Sequence, residues 1–121
     1  MPKKILIIED NEKNQRLVRD VLAPHGYEFI EAHDGEEGVR LARETKPDLI
    51  LMDIQMPVMD GFAAAKAIKG DPATAAIKIV GITSYAMKGD AEKVLAAGFD
   101  DYIAKPIDTR ALPGIVKKHL G

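Results

Sequence analysis

Cysteine and tryptophan are both absent from this chain, and its aromatic complement stops at three Tyr and three Phe. Without cysteine there is no disulfide framework, no thiolate metal site and no cysteine nucleophile. So few aromatics leave little material for a surface on which bases could stack. A dominant charge is missing too: 17 Lys and Arg face 19 Asp and Glu, for a net charge of −2. That balance argues against nucleic acid as a partner held by bulk electrostatics. Long hydrophobic runs are also lacking. Ile5 to Ile8 gives way to Glu9, too short a run for a signal-peptide core or a membrane span. No membrane partner is expected, and the cytoplasm is the expected compartment. There is no internal repeat, low-complexity tract or linker, and 121 residues fit one domain spanning 1–121. A chain of this size buries roughly two-thirds of its unfolded surface, enough for a core without staples.

What is present is a regular alternation. Lys4–Ile8 is a short β-branched run and reads as a strand. Asn11 can cap a helix that carries Leu17, Val18, Val21 and Leu22 on one stripe. Pro24 and Gly26 end it, and a more polar second strand over 27–32 suits a place nearer the sheet edge. Asp34 and Glu37 have capping-box spacing, opening a second helix that runs to about Thr45, where Pro47 forbids more.

Leu49–Met52 is continuously apolar, as a strand buried on both faces of a parallel sheet should be. Pro57 and Asp60-Gly61 then force a loop and start an alanine-rich third helix through Ile68, closed by Gly70 and Pro72. A fourth strand over 77–82 delivers Thr83-Ser84, and a fourth helix over Met87–Ala97 stops at Gly98. Asp101–Ala104 is the fifth strand. Asp108 can cap a fifth helix with Leu112, Ile115, Val116 and Leu120 on its apolar face. Pro113 makes its first turn irregular, or moves the regular helix to near Leu112. Five strands alternating with five helices predict an α/β, flavodoxin-like fold: a parallel five-stranded sheet of order 2-1-3-4-5 with helices on both faces.

In such a sheet the C-terminal tips of the strands converge on one edge. The tips here carry Glu9 and Asp10, Asp53, Thr83 and Lys105. Taken singly, Asp53 could cap a turn and Glu9-Asp10 could be a solvated helix start. Their joint arrival at one edge favours a reactive crevice. Carboxylates about 4 Å apart repel by about 1 kcal/mol per pair in water and severalfold more near a protein surface. A hard divalent cation relieves that, and oxygen-only ligands fit Mg²⁺. Beside it Asp53 can act as an oxygen nucleophile toward phosphorus, forming an aspartyl-phosphate. Lys105 neutralises charge on the transferring group, and Thr83 donates a hydrogen bond to it.

Across its length the chain resembles the response-regulator receiver domains of two-component signalling. The matching pieces are Ile7-Ile8-Glu9-Asp10-Asn11, Leu51-Met52-Asp53-Ile54-Gln55-Met56-Pro57 with Met59-Asp60-Gly61, Gly81-Ile82-Thr83-Ser84, and Tyr102-Ile103-Ala104-Lys105-Pro106. The Asp10-Asn11…Asn14 opening and 87–90 further resemble stand-alone DivK-type regulators and hybrid-kinase receivers. The resemblance implies that Asp53 accepts phosphate from a histidine kinase or a histidine phosphotransfer protein. It implies that Asp10, Asp53 and the Gln55 backbone carbonyl ligate Mg²⁺, with Glu9 acting through water. Lys105 would hold the phosphate beside a cis bond to Pro106, and Thr83 and Tyr102 would move together as the switch pair. Some positions depart from the common pattern. Glu9 stands where Asp is more frequent, and Ser84 where Ala is usual. Gln55 and Tyr85 occupy positions where the family tunes dephosphorylation.

The expected output of such a switch is protein contact, since these 121 residues leave none for a DNA-binding or enzymatic output domain. The expected effector face is the fourth helix, fifth strand and fifth helix around Met87, Lys88, Tyr102 and Ile103. The chain would be a monomer or a weak dimer through that face. The kinase side would dock on the first helix near Asn14, Leu17 and Val18. The competing reading is an aspartate-nucleophile phosphatase of the haloacid-dehalogenase type. That family needs a second acid two residues after the nucleophile, where this chain has Gln55. A flavodoxin-like binding module without phosphorylation fits the acidic set poorly.

Overall fold

The side-chain period of two along each strand divides the apolar residues into two cores. Leu6, Ile8, Ile50, Met52 and Ile79 face one way, and Ile5, Ile7, Leu49, Leu51, Val80 and Ile82 the other. The computed structural model describes residues 2–56, 59–83 and 88–120, with backbone alone over 88–91. In chain order the elements are β1 (Lys4–Ile8), α1 (Glu12–Leu22), a 3₁₀ turn (Ala23–His25), β2 (Glu28–Ala32), α2 (Gly35–Thr45) and β3 (Leu49–Asp53). They continue with α3 (Gly61–Lys69), β4 (Lys78–Thr83), α4 (Lys88–Ala96), β5 (Asp101–Ala104) and α5 (Leu112–Leu120). The strands form one parallel sheet in the order β2-β1-β3-β4-β5.

Helices cover both faces. Val39, Ala42, Ala64, Ile68 and Val94 of α2, α3 and α4 complete one core; Val18, Leu22, Leu112 and Val116 of α1 and α5 complete the other. Asn11 caps α1 with its side chain, accepting from the N–H groups of Lys13 and Asn14, and Asp60 caps α3 through Ala63. At α2, Asp34 accepts from the Glu37 N–H at 2.8 Å. The Glu37 carboxylate reaches back to the His33 N–H, one residue earlier than a capping box would close.

Two expected strands shift at their boundaries. β2 begins at Glu28, whose N–H makes the first cross-strand bond, to the Lys3 carbonyl. β4 runs to Thr83, making that residue the last of the strand and pairing it with Ala104. α4 is described from Lys88, and the expected start at Met87 lies outside the described residues, as do Pro57, Ser84 and Tyr85. The irregular start of α5 is as expected. Asp108 closes a turn by accepting from Arg110 and Ala111, and the helix proper begins at Leu112. Pro113 then sits in the first helical turn, where a missing N–H costs no intrahelical bond.

One glycine positions the site directly. A Cβ at Gly61 would lie 2.6 Å from the Ile54 Cα and 3.0 Å from the Asp53 carbonyl oxygen. Only glycine lets the start of α3 come this close to the end of β3. The Gly61 N–H donates to the Ile54 carbonyl at 2.9 Å, and the Ile54 N–H to the Ile82 carbonyl at 2.9 Å. The residues just after Asp53 are thereby tied to both α3 and β4.

Candidate functional site at the strand tips

Parallel register sets what meets at the edge. Ile8 lies beside Ala32 and Met52, Asp53 beside Ile82, and Thr83 beside Ala104. The residues leaving those tips are Glu9, Asp10, Asp53, Thr83 and Lys105, and the carboxylate oxygens of Glu9, Asp10 and Asp53 lie within 4.8 Å of one another. Asp53 is 1% exposed and Glu9 2%, whereas Asp10 opens to solvent.

Asp53 is held at both oxygens. Its Oδ1 accepts from the Gln55 backbone N–H at 3.1 Å, and its Oδ2 pairs with the Lys105 ammonium at 3.0 Å. Lys105 extends the β4–β5 ladder by donating its own N–H to the Thr83 carbonyl at 2.7 Å, and the bond to Pro106 is cis, as expected. Buried Thr83 accepts on Oγ1 from the Gln55 side-chain amide at 2.8 Å.

Glu9 carries the electrostatic strain. Burial, reinforced by the Asp53 charge, pushes its carboxyl up to about 7 from 4.5, against the opposing pull of the Asn11 N–H and Lys105. A buried acid so placed gains from any cation that joins the cluster. The donor set is three carboxylates, with no His or Cys in the group, which is the chemistry of a hard divalent ion.

Tyr102 is half-buried, lies opposite Gly81 on β5 and packs against the core beneath α3 and α4. Two expected surface residues are core instead. Val18 is 1% exposed and packs under α1, leaving half-buried Asn14 and Leu17, at 38% exposure, on the surface of α1. Ile103, at 6%, faces the α1/α5 core, because alternate β5 residues turn inward and its neighbour Tyr102 takes the other face. The Lys88 side chain lies outside the described residues.

Gln15 is a site residue that pattern-reading missed. Buried on α1, it donates from Nε2 to the carbonyls of Ile7, Glu9 and Ala32 at 3.2, 3.4 and 3.1 Å. It thereby clamps the tips of β1 and β2 and fixes the backbone of Glu9. The signal was available: positions 11, 15, 18 and 22 fall on one helical stripe, and a polar residue on a buried stripe must find partners.

The family model for the response regulator receiver domain matches residues 5–117. The polar-differentiation response regulator DivK of Brucella anthropi is 44% identical over 121 residues, spanning all of this chain and 98% of that protein. Among solved structures, the receiver domain of the sensor histidine kinase PA1611 from Pseudomonas aeruginosa superposes with a TM-score of 0.91. It is 36% identical, over all of this chain and 99% of that one, and holds a magnesium ion coordinated in its active-site cleft. The chemotaxis response regulator CheY4 of Vibrio cholerae gives a TM-score of 0.93 at 27% identity, over 99% of this chain and all of that one.

Proposed function

Because the chain belongs to the response regulator receiver domain family, we propose that Asp53 accepts a phosphoryl group from the phosphohistidine of a histidine kinase or phosphotransfer protein. The observation that carries this is the state of Asp53: buried, ionically paired with Lys105 and fixed at both oxygens. An Asp53 oxygen attacks phosphorus as the N–P bond breaks, and the electron pair of that bond stays on the departing imidazole nitrogen. Lys105 shifts its ammonium from the carboxylate to a phosphoryl oxygen, and the Thr83 hydroxyl donates to another.

The donor set of carboxylates fits Mg²⁺, which Asp10, Asp53 and the Gln55 carbonyl would hold directly, with Glu9 acting through water. When bound, Mg²⁺ supplies the positive charge that offsets the acidic cluster and attracts phosphoryl oxygens. Glu9, pushed up to about 7 by burial and by Asp53, supports a cation requirement, because neither group is well served without one.

The outcome is a signalling switch. Thr83 and Tyr102 relay the state of Asp53 to the face formed by α4, β5 and α5, where a downstream effector or a weakly bound second copy docks. The kinase side meets Asn14 and Leu17 on α1. A turnover phosphatase is disfavoured at Gln55, whose amide has no acidic proton for a leaving group and whose side chain is already bonded to Thr83. Acetyl phosphate with Mg²⁺ should add one phosphate by intact mass, and Asp53→Asn should remove that adduct. An adduct persisting in Asp53→Asn defeats the assignment, and sustained release of phosphate from p-nitrophenyl phosphate favours the phosphatase.

A further inference from the structure

Four residues of the site form a closed ring of hydrogen bonds. Asp53 Oδ2 meets the Lys105 ammonium at 3.0 Å, and the Lys105 N–H meets the Thr83 carbonyl at 2.7 Å. The Thr83 Oγ1 accepts from Gln55 Nε2 at 2.8 Å, and the Gln55 N–H returns to Asp53 Oδ1 at 3.1 Å. Gln55 is the one member that touches the nucleophile with its backbone and the threonine hydroxyl with its side chain. We infer that Gln55 is a positioning residue that latches Thr83 in its resting place until Asp53 is phosphorylated.

The inference rests on the phospho-acceptor reading of Asp53. A phosphoryl group on either oxygen of Asp53 opens the ring: on Oδ2 it displaces Lys105, on Oδ1 it displaces the Gln55 N–H. The new oxygens then accept from the Thr83 O–H and pull Oγ1 toward them, while its acceptor side is held by the Gln55 amide. Thr83 is β-branched and stiff about its first side-chain torsion, so turning Oγ1 toward the phosphoryl group draws it away from the Gln55 amide. The bond given up lies against a fully buried hydroxyl, where a hydrogen bond is stronger than in water. Gln55 does not drift with Thr83, because Ile54 before it is bonded to both Ile82 and Gly61. The latch therefore opposes the movement that the phosphoryl group rewards, and its strength sets how much of the switch is thrown.

The test is a beryllofluoride titration of the full chain with Mg²⁺, followed by the ¹³C-methyl resonance of Thr83. Gln55→Met keeps the length and packing of the side chain and removes the amide. Beryllofluoride should then half-saturate at a concentration lower by about fivefold, the weight of one neutral hydrogen bond no longer surrendered. Gln55→Ala should behave in the same direction. If Gln55→Met half-saturates at the wild-type concentration or higher while the wild-type resonance responds normally, the latch is wrong and the acceptor reading stands. A wild-type Thr83 resonance that ignores beryllofluoride overturns both.

Discussion

Glu9 offers the sharpest quantitative test of the acidic cluster. In the metal-free protein its carboxyl is pushed from 4.5 up to about 7, first by burial and then by Asp53. Between those two values the folded protein keeps a proton on Glu9 that the unfolded chain has released. The unfolded state then binds fewer protons, so stability falls as pH rises from about 4.5 to about 7 and levels off above. This is opposite in sign to an ordinary salt-bridged carboxylate. The gap of about 2.5 units corresponds to at most ~3 kcal/mol, and relaxation around the site brings the expected figure nearer ~2 kcal/mol.

Glu9→Gln is neutral at every pH and keeps an oxygen to accept from Asn11. In EDTA at pH 8 it should therefore be more stable than the wild type. With 121 residues and ~2.1 cal/mol/K of unfolding entropy per residue, ~2 kcal/mol raises Tm by about 8 °C. At pH 4 the two proteins should melt together, because Glu9 is then protonated in the folded and the unfolded state alike. Millimolar Mg²⁺ at pH 8 should close the gap by stabilising the wild type more than the variant. Thermal melts by circular dichroism across this pH range are sufficient. A Glu9→Gln variant within about 2 °C of wild type at pH 8, under the same entropy scale, or a wild type that gains stability as pH rises from 5 to 8, refutes the reasoning.

Other perturbations probe the remaining parts of the site. Lys105→Met strands the Asp53 carboxylate beside Glu9 and should cost about 2 kcal/mol in EDTA by urea titration, discounted because Lys105 is partly exposed. Gly61→Ala drives a Cβ into Ile54 and should cost about 1–3 kcal/mol in the same assay. Gln15→Ala removes the donor shared by three strand-tip carbonyls and should cost about 1–3 kcal/mol. Tyr102→Ala should leave acetyl-phosphate labelling of Asp53 intact while weakening effector capture, and equal loss of both would make Tyr102 structural.

Strand identity and order were legible because burial on two faces demands unbroken apolar runs, and Ile5–Ile8, Leu49–Met52 and 79–82 have them. Helix starts were legible at Asn11, Asp34 and Asp60, where a side-chain oxygen meets orphan N–H groups. The misses have one origin. Thr83, Val18 and Ile103 were each placed by the linear pattern, whereas their positions depend on partners distant in sequence. Pairing with Ala104 keeps Thr83 in β4. The packing of α1 onto the sheet buries Val18 while leaving Leu17 outside, one residue and about 100° around the helix away.

The site was readable in the same uneven way. Charged residues at strand tips announce themselves, because a carboxylate at the end of an apolar run is costly unless something there uses it. Amides do not. Gln15 and Gln55 are uncharged, and nothing in sequence announces the bonds their side chains make: one clamps the backbone beneath Glu9 and the other joins Asp53 to Thr83. Their work is to fix geometry, and geometry arises only once β1, β2, β3 and β4 lie side by side. Gln55 entered the sequence argument for what it lacks, an acidic proton, and the structure adds what it does. An acid at that position would add a fourth carboxylate to the cluster of Glu9, Asp10 and Asp53 and would lose the side-chain N–H that holds the Thr83 hydroxyl.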